Sequence, residues 1–305
     1  MFSPIVDVLP EDRGLGLDMR GRPTSIFDQV IDVDLAREIE VDHFGVDLAY
    51  ARPDRPGGGN GNGGGNGGGD GGLSFDPYTS GAEGGFNITI VFEGTWTQEL
   101  YDIFVAAADF YSSLIVGDLT DVVVTSGRGR NRTTETIDDL TITASLINID
   151  GAGGVLGRAG PTSVRTDGSL PVQGIMEFDI SDVDAFNAAG LFDDIVIHEM
   201  AHVLGFGTLW DTFGLINGDN TFGGDLASAE HGLQFNGDTT IEIETDGGQG
   251  TAFGHWDDAT YGNELFTGFI SDPNYLSYWS AASFGDLGYE LNPAYRDVVD
   301  ELNLA

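Results

Sequence analysis

The chain has 305 residues, 40% of them hydrophobic, and a formal charge of −38 from 12 basic and 50 acidic side chains. Every basic residue is an arginine. So acidic a surface repels phosphate, which excludes nucleic acid and anionic lipid as partners and favours solubility and hard cations such as calcium. There is no cysteine, so disulfides and thiolate metal ligands are ruled out, and no apolar run long enough to span a membrane, so no membrane insertion is expected.

Residues 1–56 hold 12 acids and 6 arginines and read as a short arm of unknown role. Within it, SIFDQVIDVDLAREIEVDHFGVDL alternates and fits one strand or a short helix. The opening MFSPIVDVLPEDRG has neither the basic n-region nor the apolar core of a standard signal peptide. Residues 57–72, GGGNGNGGGNGGGDGG, are glycine except at Asn60, Asn62, Asn66 and Asp70. Ordering so much glycine costs more backbone entropy than helix or strand returns, so a flexible linker is expected. Residues 73–305 have globular patterning.

In that part FNITIVFEG (Phe86–Gly94) alternates and reads as a strand. In TQELYDIFVAAADFYSSLIVG, Leu100, Ile103, Phe104, Ala107, Phe110 and Tyr111 recur at the spacing of an amphipathic helix. DDLTITASLINID (Asp138–Asp150) is a second strand. GAGGVLGRAG follows as a glycine-rich loop that does not match the dinucleotide fingerprint. LPVQGIMEFDI (Leu170–Ile180) is a third strand. LFDDIVIHEMAHVLG reads as a helix, with Asp193 and Asp194 suited to its first turn and Gly205 placed to end it. From there to residue 255, Gly, Asp, Asn and Thr predominate, so loops and short strands are expected, with a last helix around Ser280–Leu287. Strands and helices mix without strict βαβ alternation, which indicates an α+β fold.

The chemistry lies in HEMAHVLGFGTLW, His198 to Trp210. Four residues apart on a helix, His198 and His202 share one face and can reach one ion about 2.0–2.1 Å from each ring nitrogen. Glu199, about 100° round the helix, is placed beside an open coordination position, where it can take a proton from water and pass it to a leaving amine. Of five histidines (His43, His198, His202, His231 and His255) two flank a glutamate between the apolar runs DIVI and VLGF, which packing alone does not explain. A catalytic metal needs a third protein ligand. Compact metzincins supply it as the last residue of H-E-x-x-H-x-x-G-x-x-H. Gly205 fits that pattern, but Thr208 stands at its last position, leaving Glu230, His231 and His255 as candidates.

HEMAHVLGFGTLW, followed after a long insertion by GHWDDATYGNELFTGFI and LSYWSAASFGDLGY, resembles the leishmanolysin-type metzincins, in particular their cysteine-free bacterial relatives. DDLTITASLINIDGAGGVLGRAGP and LPVQGIMEFD are also similar to the stretches before that family's active-site helix. The resemblance covers roughly residues 85–292. It implies a metzincin-like domain with a mixed, twisted sheet, an active-site helix and a loop-rich C-terminal subdomain. It further implies a zinc-dependent endopeptidase acting on extended protein or peptide substrates. His255, followed by Trp256 and separated from His202 by 52 residues, would be the third zinc ligand with His198 and His202, and Glu199 the general base. Two departures stand out. The family's N-E-L-M turn beneath the metal is NELF here, with Phe266 in the methionine's place and no methionine after Met200, and the cysteines of the eukaryotic members are missing.

Further expectations follow. Leu170–Ile180 is the candidate edge strand for a substrate chain to join. A pocket beside His202, built partly by residues 203–254, would set selectivity. LSYWS resembles the serralysin turn, where a tyrosine can touch zinc; Tyr278 is a candidate for that contact but lies past the stretch that aligns with the metal-binding turn, so a packed aromatic is the plainer expectation. Asp211, Asp219, Asp225, Asp257 and Asp258 sit in glycine-rich loops suited to structural calcium or simply to solubility. GRGRNR, with Arg128, Arg130 and Arg132, is a solvated loop or a self-cleavage point, and His43 is an ordinary surface or packed residue, with a cap for the metal before activation as the alternative. A monomer, secreted or held at the cell surface, is expected. The rival reading is a zinc-stabilised binding or adhesion module without turnover, for which Phe266 is the best support.

Overall fold

In ITIVFE and LTITASLI, β-branched and polar residues alternate, so one face of each strand is apolar and seeks cover. The computed structural model describes Val46–Ala49 and residues 72–304, apart from 127–129, 131, 153–154, 167–169, 249 and 272. His43, Arg128 and the glycine-rich linker up to residue 71 lie outside the described residues. In chain order the strands are β1 (Val46–Ala49), β2 (Tyr78–Thr79), β3 (Ile88–Glu93), β4 (Val122–Ser126), β5 (Thr133–Ile137), β6 (Leu140–Ile147), β7 (Val155–Val164) and β8 (Pro171–Asp179). The helices are α1 (Gln98–Leu114), α2 (Ile180–Ala189), α3 (Phe192–Val203), α4 (Trp210–Phe213), α5 (Asp225–Gln234), α6 (Asp258–Tyr261), α7 (Tyr278–Asp286) and α8 (Tyr295–Asn303).

Six strands form a mixed sheet in the order β1-β7-β8-β6-β3-β2. Strands β3, β6 and β8 run parallel, while β7 is antiparallel to β8, β1 to β7 and β2 to β3. Ile88, Ile90 and Phe92 of β3 and Leu140, Ile142 and Ala144 of β6 are buried. Helix α1, capped by Thr97, which accepts the Leu100 amide at 3.2 Å, buries Leu100, Phe104, Ala107, Ala108, Tyr111 and Leu114. Helix α3 packs on α1 on one side and on β7 and β8 on the other. Every residue from Ile195 to Val203 is buried, as for a helix enclosed on all sides. The mixed sheet and its helices make the fold α+β.

Several expectations are corrected. GAGGVLGRAG is not all loop: from Val155 onward it is strand β7, because a ladder with β8, unbroken from Gly157 to Pro161, and the cover of α3 outweigh the glycine content, and Gly157 lies where the Phe178 ring leaves no room for a side chain. β8, the expected edge strand, lies inside the sheet between β6 and β7. The outer neighbour is β7, and its far side pairs with β1. The β4–β5 hairpin, α2, α5 and α8 are additional elements. Asp179 opens α2 by accepting the Ser181 amide and also accepts those of Ile149, Asp150 and Gly151. These donors, the Ser181 amide foremost, hold its carboxyl well below the usual carboxylate range. α5 condenses out of the expected loop region because the Asp286 carboxylate of α7 accepts the Leu226 and Ala227 amides of its first turn. Among the described residues no helix is long and apolar enough to cross a membrane.

One position fixes how closely α3 lies on the sheet. A Cβ on Gly174 of β8 would overlap the Val203 side chain and come within 2.9 Å of the Gly160 carbonyl oxygen. Gly174→Ala is therefore expected to destabilise the fold by about 1–3 kcal/mol through overpacking. Thermal unfolding followed by circular dichroism checks this, and an unchanged Tm would show that α3 can retreat without penalty.

Candidate metal centre

The start of α3 has Asp193 and Asp194 in its first turn, where carboxylates oppose the positive end of the helix dipole. Its far end stops as expected: Gly205 adopts φ 107° and the chain turns away. Thr208, standing where compact metzincins carry their third ligand, instead donates its hydroxyl to the His202 carbonyl at 2.7 Å and closes the helix end. The chain then turns through Gly207, at φ 69°, where any side chain would overlap the Gly254 carbonyl. That contact brings the start of the insertion against the residue preceding His255.

His255 is carried in by an aromatic layer. Trp256 is buried, stacks on Trp210 with ring centroids 4.8 Å apart, and meets Phe206 and Phe222 edge-on. The Glu244 amide bonds the His255 carbonyl at 2.9 Å and the Trp256 amide bonds the Phe266 carbonyl at 3.1 Å. The result is a triangle of imidazole nitrogens: Nε2 of His202 lies 3.0 Å from Nε2 of His198 and 3.2 Å from that of His255, and the His198–His255 distance is 3.1 Å.

The other ring nitrogens settle the tautomers. Nδ1 of His198 faces the Leu265 carbonyl at 2.7 Å, Nδ1 of His202 the Phe206 carbonyl at 2.9 Å, and Nδ1 of His255 the Thr251 carbonyl at 2.9 Å. A carbonyl only accepts, so each Nδ1 carries the proton and donates it. Each Nε2 of the neutral ring is then an acceptor aimed at two other acceptors. Burial lowers all three rings' basicity, His198 to about 3, with the neighbouring His255 adding to the effect, and His255 to about 4. His202 falls well below its ordinary value for the same first reason. Three buried, neutral, convergent lone pairs suit a divalent cation. A tetrahedral zinc with bonds of about 2.0–2.1 Å wants its nitrogens about 3.3–3.4 Å apart, close to the triangle observed.

Glu199 is fully buried on the same helix. Tyr111 of α1 donates to the Ile197 carbonyl at 2.6 Å and fixes the helix from its other side. Phe266 lies under His198, its ring edge-on at 5.8 Å between centroids. The rival third ligands are engaged elsewhere. Glu230 binds Arg296 and Tyr295, and His231 bonds the Asp238 carbonyl while stacking on Phe235. Tyr278 donates to Asp300 at 2.6 Å. Among the described residues Asp211, Asp219, Asp225, Asp257 and Asp258 do not join a group of three ligands. The second such group there is Asp118, Asp138 and Asp139. In it Asp139, pushed up to about 6 by burial, accepts the Asn87 and Leu119 amides. Arg130 and Arg132 are exposed. The carbonyls of Leu265, Phe206 and Thr251 were not readable from sequence, since a main-chain acceptor leaves no signature in the side chains.

The model of the leishmanolysin peptidases, Peptidase_M8, matches residues 131–295, more than half of the chain. The chain belongs to the leishmanolysin family. Among curated proteins no match is found. Membership makes the chain a metallopeptidase, a hydrolase of peptide bonds, and the metal the family implies is zinc. The match spans both the helix with His198 and His202 and the segment with His255.

Convergent acceptors predict that metal and fold are linked. Adding zinc to chelator-treated protein is expected to raise Tm, by about 4 kcal/mol of stabilisation at a thousandfold excess over Kd. His255→Ala should abolish most of that gain and Glu230→Ala should keep it. Differential scanning calorimetry with and without zinc separates these outcomes.

Proposed function

We propose that this chain is a zinc-dependent endopeptidase of metzincin type. His198, His202 and His255 hold the metal, and Glu199 is general base and then general acid. The observation that carries the reading is the meeting of three Nε2 lone pairs whose Nδ1 protons are committed to main-chain carbonyls. Zinc, when bound, supplies Lewis acidity, lowering the pKa of a water toward about 7 and polarising the scissile carbonyl. Glu199, one residue from His198 on a helix held from both sides, takes the proton from the attacking water. It then gives that proton to the leaving amine. The rings of His198, His202 and His255 stay neutral through the cycle, because their outer nitrogens donate to carbonyls and burial disfavours their charge.

Residues 73–305 are read as the peptidase unit, 57–72 as a linker and 1–56 as an arm. An extended protein or peptide chain would join the sheet on the outer side of β7, which α3 packs against. That side is paired with Val46–Ala49, so arm and substrate exclude each other there. Export to the cell surface or medium belongs to the same reading and rests on the acidic composition, free of lysine and cysteine. Finding the protein only in the cell interior would count against it.

Casein cleavage by the purified protein, with and without a chelator, tests the activity. Glu199→Gln is expected to retain one zinc per chain and to lose about 10²–10⁴-fold in kcat, the contribution of a positioned acid–base group. A zinc-loaded parental chain that leaves casein intact would instead identify a binding module that kept its metal and lost turnover.

A further inference from the structure

We infer that Glu264 is a positioning residue of the metal centre, setting the turn that orients His198 and holding the segment that carries His255. The inference rests on the zinc reading above. Glu264 is fully buried and touches none of the three imidazoles in the described hydrogen bonds. One carboxylate oxygen accepts the Phe266 amide at 2.6 Å. The other accepts the Ser277 amide at 3.0 Å and the Ser280 hydroxyl at 2.5 Å. A carboxylate so far from water persists only where donors replace its hydration, and here three do.

Two paths lead from it to the metal ligands. The first is short: the bond to the Phe266 amide curls the chain across Leu265, whose carbonyl receives the Nδ1 proton of His198. The second runs through Ser280, whose hydroxyl, while donating to Glu264, accepts the indole N–H of Trp256 at 2.7 Å. Trp256 adjoins His255, and its amide bonds the Phe266 carbonyl of the same turn. One carboxylate thus ties together the orienting group of one ligand and the backbone of another, and it anchors both to the N-terminus of α7 through Ser277, the cap residue of that helix. A cap for α7 alone would need the Ser277 contact but not the bonds to Phe266 and, through Ser280, to Trp256.

The test measures zinc affinity of the full chain by competition with a chromophoric chelator, for the parental protein, Glu264→Gln and Ser280→Ala. Glu264→Gln replaces one acceptor oxygen with an NH2 group that faces donors, so a 10–100-fold weaker Kd is expected, about the range for groups that orient metal ligands. Ser280→Ala, which cuts only the path to Trp256, should weaken Kd less and in the same direction. The visible spectrum of the cobalt-substituted protein should shift in both, because the ligand rings are freed to turn. Variants with a lower Tm but parental zinc affinity and cobalt spectrum would overturn the inference and leave Glu264 as a helix cap. If Glu264→Gln does not fold, Ser280→Ala decides alone, parental affinity overturning the inference. A parental chain that binds no zinc defeats the metal reading itself, and this inference with it. A parental chain that binds zinc beside unaffected variants defeats this inference only.

Discussion

Three imidazole rings each commit their Nδ1 proton to a main-chain carbonyl, and the geometry of the site depends on that constraint. With the outer nitrogens committed, the inner lone pairs cannot turn away from one another, and they meet at 3.0–3.2 Å in a buried interior where no ring offers a second proton. Protonating a ring would remove the repulsion, but burial disfavours the charged form in each case. A divalent cation resolves the conflict without adding a proton. Hydrogen bonds one shell away from the three nitrogens thus leave them arranged as a group that could hold a metal.

Those three carbonyls come from three different places, and holding them still is what the scaffold does. The Phe206 carbonyl is local to His202 and follows from how α3 ends. The Thr251 carbonyl is local to His255 but hangs on a long insertion. The Leu265 carbonyl is 67 residues from His198 in sequence and depends wholly on tertiary packing. The insertion therefore cannot be a loose excursion. Its ends are pinned by the stacking of Trp210 on Trp256 and by the contact of Gly207 with Gly254, and its middle by α5 lodged against α7. Burying several aromatic rings at that junction supplies an apolar gain large enough to offset the entropy of closing the loop, which grows only slowly with length.

What could be read from the sequence follows the range of the forces involved. α3, α1, β3 and β6 announced themselves because their periodicity is local and strong. The helix of Ile180–Ala189 did not, since only Asp182 and Val183 of it are buried, and its clearest signal, Asp179 as cap, also ends a strand. The helix of Asp225–Gln234 buries just Ala227 and His231, and its first turn is capped by a carboxylate about 60 residues away. β7 was hidden by glycines that suit a crowded strand as well as a loop. The place of β8 was misjudged for another reason: alternation shows that a strand is half-covered, but whether it lies at an edge is decided by which strands flank it. At the site, the helical His198–Glu199–His202 arrangement was legible from spacing alone. The choice among Glu230, His231 and His255 was not, because it depends on which distant segment packs under the helix, and only family resemblance singled out His255.

Phe266, which by the family resemblance stands where a methionine would, lies in the turn under His198 and is subject to the same geometry. What the turn delivers to His198 is the Leu265 carbonyl, a main-chain group that no side chain at 266 alters directly. What the side chain must supply is an apolar floor of the right shape. Phe266 does so as one member of a cluster, 4.6 Å from Phe206 and 6.3 Å from Phe284 between ring centroids and edge-on to His198. A methionine would fill that space by bending its flexible chain, whereas a phenylalanine fills it only where neighbouring rings are set to receive its face and edge. The surrounding aromatics meet that demand. The residue at 266 is therefore constrained by volume and shape, while the position of His198 is held by the Leu265 carbonyl and by the buried Glu264 carboxylate that shapes its turn.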